Sequence, residues 1–386
     1  MSMNEKVDVT ESEQPDAAAG LDETLAETVE SPIAQPEPAW PSCPTCGAEV
    51  APEDGYCEEC GADLLVRRSE PAAPVGAPCR SADCSGESFT DGYCDVCGSP
   101  EPDPRDHYER DLGVVAGVTD RGLRHSRNED EMSLAVIGTA GEEPTVIAVV
   151  CDGVSTSYKP ETASATASLT AREHLVLALR RGEDPQSATL GAFEQAHKAV
   201  VALPADPTDP GNGRASTMVS VVLGERGITV GWVGDARVYW LDQNPENSLV
   251  LTLDDSWAGR MIADGTLTEQ EAFKSPLAHT ILRWLGPGAP EEPANLRVFL
   301  PDGPGLVLAC SDGLWNYVPG AADLARLAAG GFGGLLPTAN AMATVALEGG
   351  GHDNITAVLA TWPPRQPQAG GEPTAEISSL SEGIQQ

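Results

Sequence analysis

The sequence predicts a domain of the α+β class, in which antiparallel sheets and helices form separate layers, preceded by two small cysteine-rich modules. Several strand-like segments follow one another through short glycine-containing turns such as GERG (224–227), and this pattern favours antiparallel hairpins. The helical patterns are gathered in separate blocks, which is typical of layered α+β domains. With 386 residues, of which 41% are hydrophobic, the chain is long enough to bury a sizeable core.

Short apolar runs predict ten strands in the globular part of the chain. These strands cover residues 113–119, 131–138, 145–151, 216–224, 227–233, 236–241, 249–253, 296–300, 305–310 and 354–361. Helical periodicity predicts five helices, over residues 160–181, 187–203, 256–264, 321–330 and 335–348. The first helix is long, rich in alanine and amphipathic, and it opens next to Pro160, a residue type favoured in the first turn of a helix.

Composition divides the chain into six parts. The first 39 residues are acidic and contain few large apolar side chains, so we expect a disordered tail over 1–39. Eight of the ten cysteines fall in two modules, ribbon 1 (40–66) and ribbon 2 (77–98). A proline-rich acidic stretch predicts a linker over 99–111, the globular domain covers 112–362, and a second disordered tail is expected over 363–386.

Charge and hydropathy exclude several classes of partner. The formal net charge of −36 repels nucleic-acid phosphates and anionic membrane surfaces, so neither is an expected partner. No run of about 18 apolar residues is present to span a membrane, and the N-terminal MSMNEKVDVTESEQPDAAAG lacks the features of a secretory signal. We therefore expect a cytoplasmic chain, and in that reducing setting the cysteines are expected to bind metal or remain free thiols.

The cysteine modules resemble tandem zinc ribbons. Each contains four cysteines in two close pairs, and a DGYC segment recurs at 54–57 and 91–94. The candidate ligands are Cys43, Cys46, Cys57 and Cys60 in ribbon 1, and Cys79, Cys84, Cys94 and Cys97 in ribbon 2. Four thiolates can surround one structural Zn²⁺ per ribbon, and the metal would supply folding free energy that such small units lack. Disulfides are the alternative, and the wider spacing of Cys79 and Cys84 departs from the pattern.

Acidic residues recur where predicted strands begin or end. They are Asp130 in GLRHSRNEDEM, Asp152 in VVCDG, Asp235 in WVGDAR, Asp312 in ACSDG and Asp353 in GHDNIT. One such residue indicates only a turn, but several buried carboxylates that point to one place need cations between them. Oxygen ligands in this number suit Mg²⁺ or Mn²⁺.

The motifs then become recognisable as a set. In order along the chain, the segments GLRHSRNEDE, VVCDGVS, GRASTMVSVVL, WVGDARVYWL, LTLDDSW, ILRWLG, LACSDGLW and GHDNITAVL resemble the bacterial-type metal-dependent serine/threonine phosphatases of the protein phosphatase 2C-like (PPM) family. The resemblance covers about residues 112–361. It implies a four-layer α-β-β-α sandwich of two antiparallel sheets flanked by helices, with two Mn²⁺ or Mg²⁺ ions at one end.

The resemblance also assigns roles to residues at the matching positions. Asp152 would bridge both metals, the Gly153 carbonyl would bind one of them, Asp312 and Asp353 would complete one shell, and Glu129 with Asp130 would serve the other. Supporting positions are Ser216 and Thr217 near the core of the site, Asp235 with Arg237, which the resemblance makes structural more than ligating, and Asn354 orienting Asp353. The expected reaction is hydrolysis of phosphoserine and phosphothreonine in proteins by a water that the two metals activate.

Two departures from the family pattern affect the catalytic expectations. Members often carry an arginine that grips phosphate five residues before the position of Asp130, where this chain has His125, so either His125 or the adjacent Arg124 is expected to take over. Animal members carry a histidine after the bridging Asp-Gly, where this chain has Val154, and no general acid is assigned.

Two other functions are alternatives to that of a metal-dependent phosphatase. Cys151 and Cys310 lie beside key aspartates, but a cysteine-dependent phosphatase needs an arginine six residues after the nucleophile, where this chain has Ser157 and Asn316. An inactive phosphatase-like adaptor that binds partners through its ribbons is the alternative to an active enzyme. The preferred hypothesis is an enzyme that opposes a bacterial serine/threonine kinase and reaches that kinase or an adaptor through its ribbons.

Overall fold

The structure is a computed structural model that describes residues 43, 46–51, 54–70, 79, 84–90, 93–99, 101, 103–138, 143–330 and 333–364. The disordered tail predicted over 1–39 lies outside these residues, as does the tail predicted over 363–386 beyond its first two positions. Within the described ranges, no helix combines the length and apolar character that crossing a membrane requires.

The described residues form fourteen strands and seven α-helices. The strands are β1 (Val66–Arg68), β2 (Phe89–Thr90), β3 (Tyr93–Cys94), β4 (His107–Asp111), β5 (Val115–Asp120), β6 (Glu131–Ile137), β7 (Thr145–Cys151), β8 (Met218–Gly224), β9 (Gly227–Val233), β10 (Arg237–Asp242), β11 (Leu249–Val250), β12 (Asn295–Phe299), β13 (Gly305–Cys310) and β14 (Ile355–Trp362). The helices are α1 (Pro160–Arg180), α2 (Pro185–Val201), α3 (Trp257–Ala263), α4 (Glu269–Ala272), α5 (Asp312–Trp315), α6 (Ala321–Ala328) and α7 (Leu335–Glu348).

Two six-stranded antiparallel sheets form the centre of the molecule. The first has the strand order β1-β6-β7-β8-β9-β12, and the second has the order β11-β10-β13-β14-β5-β4. Buried apolar side chains from both sheets share one core, among them Leu134 and Val150 from the first and Val238 and Val307 from the second. Strands buried on both faces read as continuous apolar runs, which is why the sequence revealed them.

Helices cover the outer face of each sheet. α1 and α2 pack on the first sheet, where Ala163, Ala167 and Ala171 are fully buried at four-residue intervals and let the helix approach closely. α5, α6 and α7 cover the second sheet. The four layers therefore run helix, sheet, sheet, helix, and the fold class expected from the sequence is confirmed.

The differences from the sequence expectation fall at sheet edges and in short helices. β1 and β4 are edge strands that the apolar pattern did not predict, and β4 (HYERD) occupies the end of the stretch expected to be the linker 99–111. Only Tyr108 of β4 is buried, because β4 is at the edge of its sheet and has a neighbouring strand on one side only. α4 and α5 have four residues each, too few to show a helical period.

Candidate active site and metal centres

Four predicted site aspartates lie at the ends of neighbouring strands, although they are far apart in the sequence. Asp130 directly precedes β6 and Asp152 directly follows β7, and these strands are antiparallel neighbours. Asp312 opens α5 after β13, and Asp353 lies just before β14, the antiparallel neighbour of β13. In each pair, one strand ends where its neighbour begins, so both aspartates reach the same end of their sheet.

Hydrogen bonds between the two sheets join these pairs. Thr356 Oγ1 in β14 donates to Asp130 Oδ2 at 2.7 Å. The Glu129 N–H donates to Asn354 Oδ1 at 2.8 Å, and Asn354 Nδ2 donates to two main-chain carbonyls of the loop 121–130 at 2.8 and 3.0 Å. Asn354 therefore holds the loop that leads to β6 against the start of β14, and the acidic residues of both sheets share one site.

The turn after β7 is fixed through its main chain. The Asp152 carbonyl accepts hydrogen bonds from the Thr217 N–H at 2.7 Å and from Ser216 Oγ at 2.9 Å. The Gly153 N–H donates to the Glu129 carbonyl at 3.2 Å. A Cβ at Gly153 would lie 2.8 Å from that carbonyl oxygen, so glycine is needed for this close approach.

Burial and mutual repulsion raise the pKa values of the site aspartates. Burial raises the pKa of Asp130 to about 8, and the negative charges of Asp353 and Asp312 add to the shift. Burial, followed by the charge of Asp353, raises the pKa of Asp312 to about 7. The pKa of Asp152 is held well above its ordinary value by burial and then by the charge of Asp130. Desolvated carboxylates that repel one another are stabilised by cations.

The donor set of this acidic site fits divalent cations. Asp130 Oδ1 and Asp312 Oδ1 are buried and have no hydrogen-bond partner within the described part of the chain. Carboxylate and carbonyl oxygens are the ligands that Mg²⁺ and Mn²⁺ prefer. The site carboxylates do not bring three ligand atoms within 4.8 Å of one another, a spacing that only the two cysteine groups reach among the described residues. The acidic site is therefore wider than a closed cage for a single ion.

The basic residues of the neighbouring loop have different surroundings. His125 Nε2 lies 3.2 Å from Asp353 Oδ1, so the imidazole belongs to the acidic site. Arg127 forms an ion pair with Glu161 at 2.9 Å. Arg124 is exposed to solvent on the same loop. The structure thus separates the two residues expected to grip phosphate: His125 contacts a site carboxylate, and Arg124 faces solvent.

A buried ion pair supports the site. Arg237 Nε and Nη2 lie 2.9 and 2.7 Å from the two carboxylate oxygens of Asp254. The Arg237 Cζ lies 3.6 Å from the Trp315 ring centroid, and Trp315 Nε1 donates to the Asp235 carbonyl at 2.9 Å. These contacts pack Asp235 and Arg237 against α5, the helix that begins at Asp312.

Sequence reasoning did not single out three contact residues of this site. Thr356 donates to Asp130, Asp254 holds Arg237, and Ser155 Oγ donates to a Glu129 carboxylate oxygen at 2.6 Å. Once β14 is assigned, the two-residue period places Thr356 on the same face as Asn354, so this contact was within reach of the pattern. Nothing in the LTLDDSW segment distinguishes the partner of a buried arginine from a turn residue.

The cysteines beside the site are inaccessible. Cys151 and Cys310 are fully buried. Burial raises the pKa of both thiols well above the ordinary value, so neither forms the thiolate that a nucleophile requires. Their burial gives a second reason to reject a cysteine-dependent phosphatase.

The eight ribbon cysteines form two compact groups, as the sequence predicts. The Sγ–Sγ distances are 3.6 Å for Cys43–Cys60, 3.6 Å for Cys46–Cys57, 3.4 Å for Cys79–Cys97 and 3.7 Å for Cys84–Cys94. Sulfurs at the corners of a tetrahedron around Zn²⁺, with bonds of about 2.3 Å, are about 3.8 Å apart. Both groups therefore fit the predicted zinc ribbons.

The turns around the cysteines repeat one geometry. Gly47, Gly61 and Gly98 have φ of 76°, 73° and 72°, and each N–H donates at 2.8 Å to the carbonyl of the cysteine four residues earlier. A longer turn accommodates the wide Cys79–Cys84 spacing. The Cys79 N–H donates to the carbonyl of Gly86, seven residues on, whereas the Cys43 N–H donates to that of Ala48, five residues on.

Comparison with known protein sequences finds similar serine/threonine phosphatases. The serine/threonine phosphatase Stp of Listeria innocua is 29% identical over 243 residues, which are 62% of this chain and 92% of that protein. PstP of Mycobacterium tuberculosis is 27% identical over 250 residues, which are 64% of this chain and 44% of that protein. No family model matches the chain.

Solved structures show the same fold. The crystal structure of the M. tuberculosis phosphatase PstP/Ppp matches with a TM-score of 0.52 and 26% identity, and it covers 64% of this chain and 97% of that one. The PPM Ser-Thr phosphatase MsPP of Mycobacterium smegmatis, in complex with cacodylate, matches with the same TM-score, identity and coverage.

The sandwich with its acidic end therefore has the protein phosphatase 2C-like fold. Within that class, the chain is similar to the bacterial PPM-type serine/threonine phosphatases, and it carries two four-cysteine modules before the sandwich.

Proposed function

We propose that this chain is a metal-dependent serine/threonine protein phosphatase that hydrolyses phosphoserine and phosphothreonine in proteins. The observation that carries the proposal is the convergence of Asp130, Asp152, Asp312 and Asp353 at one end of the sandwich, with two buried carboxylate oxygens left without a partner in the described chain. The serine/threonine phosphatases among the relatives support it.

Two Mn²⁺ or Mg²⁺ ions fit the acidic site in this proposal. Asp152 and the Gly153 carbonyl would hold them together with Asp312 and Asp353 on one side and Glu129 and Asp130 on the other. When bound, such ions lower the pKa of a water and offset the charge of a phosphate monoester. The hydrogen bonds to the Asp152 carbonyl hold the turn after β7 in place, and the Thr356 hydrogen bond orients the Asp130 carboxylate, both without a bound ion.

The loop before β6 would receive the phosphate. His125 is within hydrogen-bond distance of Asp353 and orients that carboxylate, whereas Arg124 is exposed on the same loop and free to reach a phosphate oxygen. We assign phosphate binding to Arg124 because a guanidinium can donate two parallel hydrogen bonds to one phosphate group.

The proposal has three further parts. Each ribbon holds one structural Zn²⁺, the chain acts in the cytoplasm, and its substrates are proteins phosphorylated by a serine/threonine kinase that it opposes. The sulfur spacings support the zinc sites, and a closed four-cysteine site has no open position for catalysis.

Turnover of p-nitrophenyl phosphate and of a phosphothreonine peptide tests the function. We expect both to require added Mn²⁺ or Mg²⁺ and to be lost in Asp152→Asn. Cys151→Ser is the matched control, since it alters the neighbouring buried residue, and it should keep turnover. Full turnover after removal of divalent ions, or loss in Cys151→Ser alone, would contradict the proposal.

A further inference from the structure

Ribbon 2 is inserted in the sequence between two of the four edge strands of the sandwich. β1 is an edge of the first sheet and β4 is an edge of the second. The chain leaves β1 after Arg68 and enters β4 at His107, so ribbon 2 lies between them in sequence. Arg110 Nε in β4 donates to the Glu70 carbonyl at 2.6 Å, which places the outgoing and returning segments side by side.

The outgoing segment runs toward the end of the sandwich that carries the acidic site, and the returning segment comes back from that end. β1 runs antiparallel to β6, with Arg68 opposite Ala135, so the chain leaves β1 in the direction of Asp130. On its return, the Arg105 carbonyl accepts a hydrogen bond from Asn128 Nδ2 at 2.9 Å. Asn128 Oδ1 in turn accepts from the Asp130 N–H at 3.2 Å. The segment that returns from ribbon 2 therefore enters the sandwich next to the site.

Ribbon 1 is attached at the opposite end, where it binds an arginine. Arg180 at the end of α1 forms an ion pair with Asp63, its Nη2 donates to the Tyr56 hydroxyl at 3.3 Å, and its Cζ lies 5.9 Å from the Tyr56 ring centroid. α1 begins at Pro160 beside the site and has 21 residues, a length of about 30 Å. Ribbon 1 thus uses the tyrosine of its DGYC segment to hold an arginine of a helix.

Ribbon 2 presents the equivalent tyrosine without an arginine. Tyr93 occupies the position of Tyr56 in the repeated DGYC segment, and the two are 57% and 56% exposed. Among the described residues, no side-chain hydrogen bond or ring contact involves Tyr93. Three residues further along the chain, Val96 is 70% exposed at the position where ribbon 1 has Glu59.

We propose that Tyr93 and Val96 form a docking surface for an arginine-bearing segment of the phosphoprotein substrate, close in sequence to its phosphorylated residue. The proposal rests on the phosphatase function proposed above and adds the kind of substrate that the chain selects. The Tyr93 ring faces the guanidinium, as Tyr56 faces Arg180, and Val96 contacts the methylene groups of the arginine.

Charge and position favour this occupant over others. Residues 79–101 contain five acidic residues and one basic residue, so the module attracts a cationic segment. The chain that returns from ribbon 2 enters the sandwich beside the site, so a segment held at ribbon 2 would have its neighbouring phosphorylated residue presented there at high effective concentration.

The test uses the full-length chain with zinc bound and two phosphothreonine peptides that differ only in two flanking residues, arginine or citrulline. The kcat/KM for each peptide is divided by the value for p-nitrophenyl phosphate, which has no flanking residues. We expect the arginine peptide to be preferred and Tyr93→Ala to reduce that preference by about 2- to 5-fold, the size of one exposed cation–π contact. Tyr93→Phe keeps the ring and should keep the preference.

Tyr56→Ala is the matched control in ribbon 1; it should lower the Tm and leave the preference unchanged. Equal use of both peptides, or a preference that survives Tyr93→Ala in protein with full zinc content, overturns the docking surface. If neither peptide nor p-nitrophenyl phosphate is hydrolysed, the proposed function fails instead. Binding of the unphosphorylated arginine peptide then decides the docking surface by itself: a Kd that rises in Tyr93→Ala supports it, and a Kd that does not rise overturns it.

Discussion

The hydroxyl of Thr356 lies 2.7 Å from Asp130 Oδ2, and the other oxygen of Asp130 has no hydrogen-bond partner in the described part of the chain. One carboxylate oxygen is thus held by the second sheet, while the other is directed into the acidic site. Because Asp130 leads into β6 of the first sheet, this bond ties a site carboxylate directly to a strand of the second sheet.

Replacing Thr356 by valine should weaken metal binding without unfolding the chain. The change keeps the volume and removes the contact with Thr119 Oγ1 at 2.7 Å as well as the hydrogen bond to the charged Asp130, which contributes about 1.5–3 kcal/mol. We expect the Mn²⁺ concentration for half-maximal turnover to rise roughly 10- to 100-fold. Thr356→Ser retains the donor and should stay close to wild type. An unchanged Mn²⁺ requirement in the valine variant would contradict the role given to this bond.

The buried pair of Arg237 and Asp254 gives a prediction about stability. Their side chains are only 7% and 5% exposed, so Asp254→Ala leaves an uncompensated charge in the interior. We expect a loss of about 3–5 kcal/mol in the free energy of unfolding, measured by urea denaturation. The control is Asp264→Ala, which breaks an exposed pair with Arg260 and should cost less than about 1 kcal/mol. Equal losses in the two variants would refute the prediction.

The sequence was sufficient for the parts of the fold that burial determines. β7, β8 and β9 are apolar on both faces, and their predicted bounds agree with the structure to within two residues. β1 and β4 escaped prediction because an edge strand pairs on one side only and tolerates polar residues. Their pairing is decided by neighbours distant in sequence, which no local pattern contains.

The residues of the candidate site likewise fall into those that the sequence predicts and those that it does not. The acidic residues stood out because each lies at the beginning or the end of an apolar run, and the structure gathers them at one end of the sandwich. Their supporting partners, Thr356 and Asp254, are ordinary residue types whose roles arise from packing between elements. The attachment of ribbon 1 through Arg180 was equally hidden, because an exposed arginine on a helix has no sequence signal for its partner. The catalytic roles of the site residues stay predictions.

The raised pKa values predict how the stability depends on pH in the absence of Mn²⁺ and Mg²⁺. Between the ordinary aspartate pKa of 3.8 and the native values of about 8 for Asp130 and about 7 for Asp312, the native state binds more protons than the unfolded chain. The free energy of unfolding therefore falls as pH rises through this window. Thermal unfolding should show the wild-type Tm falling relative to that of Asp130→Asn between roughly pH 5 and pH 8.

Adding Mn²⁺ should reverse this trend, because a cation stabilises the ionised carboxylates and binds the native state only. The gain in Tm on adding Mn²⁺ should therefore be larger at the upper end of the window than at the lower end. A wild-type Tm that rises with pH relative to Asp130→Asn in metal-free buffer would show that Asp130 is not the buried, repelled carboxylate described above.

Truncation separates the contribution of ribbon 1 from that of β1. β1 pairs with β6, the Ser69 N–H donates to the Leu134 carbonyl at 2.9 Å, and Arg172 Nη1 donates to the Ser69 carbonyl at 2.7 Å. Deleting residues 1–62 removes ribbon 1 but keeps these contacts, whereas deleting 1–70 removes them. The longer deletion leaves the edge of β6 unpaired and the mostly buried Arg172 without its carbonyl partner.

We expect the longer deletion to lower the Tm by about 2–12 °C relative to the shorter one, because one unsatisfied buried polar group costs about 1–3 kcal/mol and a domain of this size loses about 2–4 °C per kcal/mol. The exposed edge should also promote association, which light scattering would detect. Turnover of p-nitrophenyl phosphate at low temperature should survive in both, since the acidic site is at the far end of α1 from ribbon 1. Equal Tm values would mean that β1 does not contribute to the stability of the sandwich.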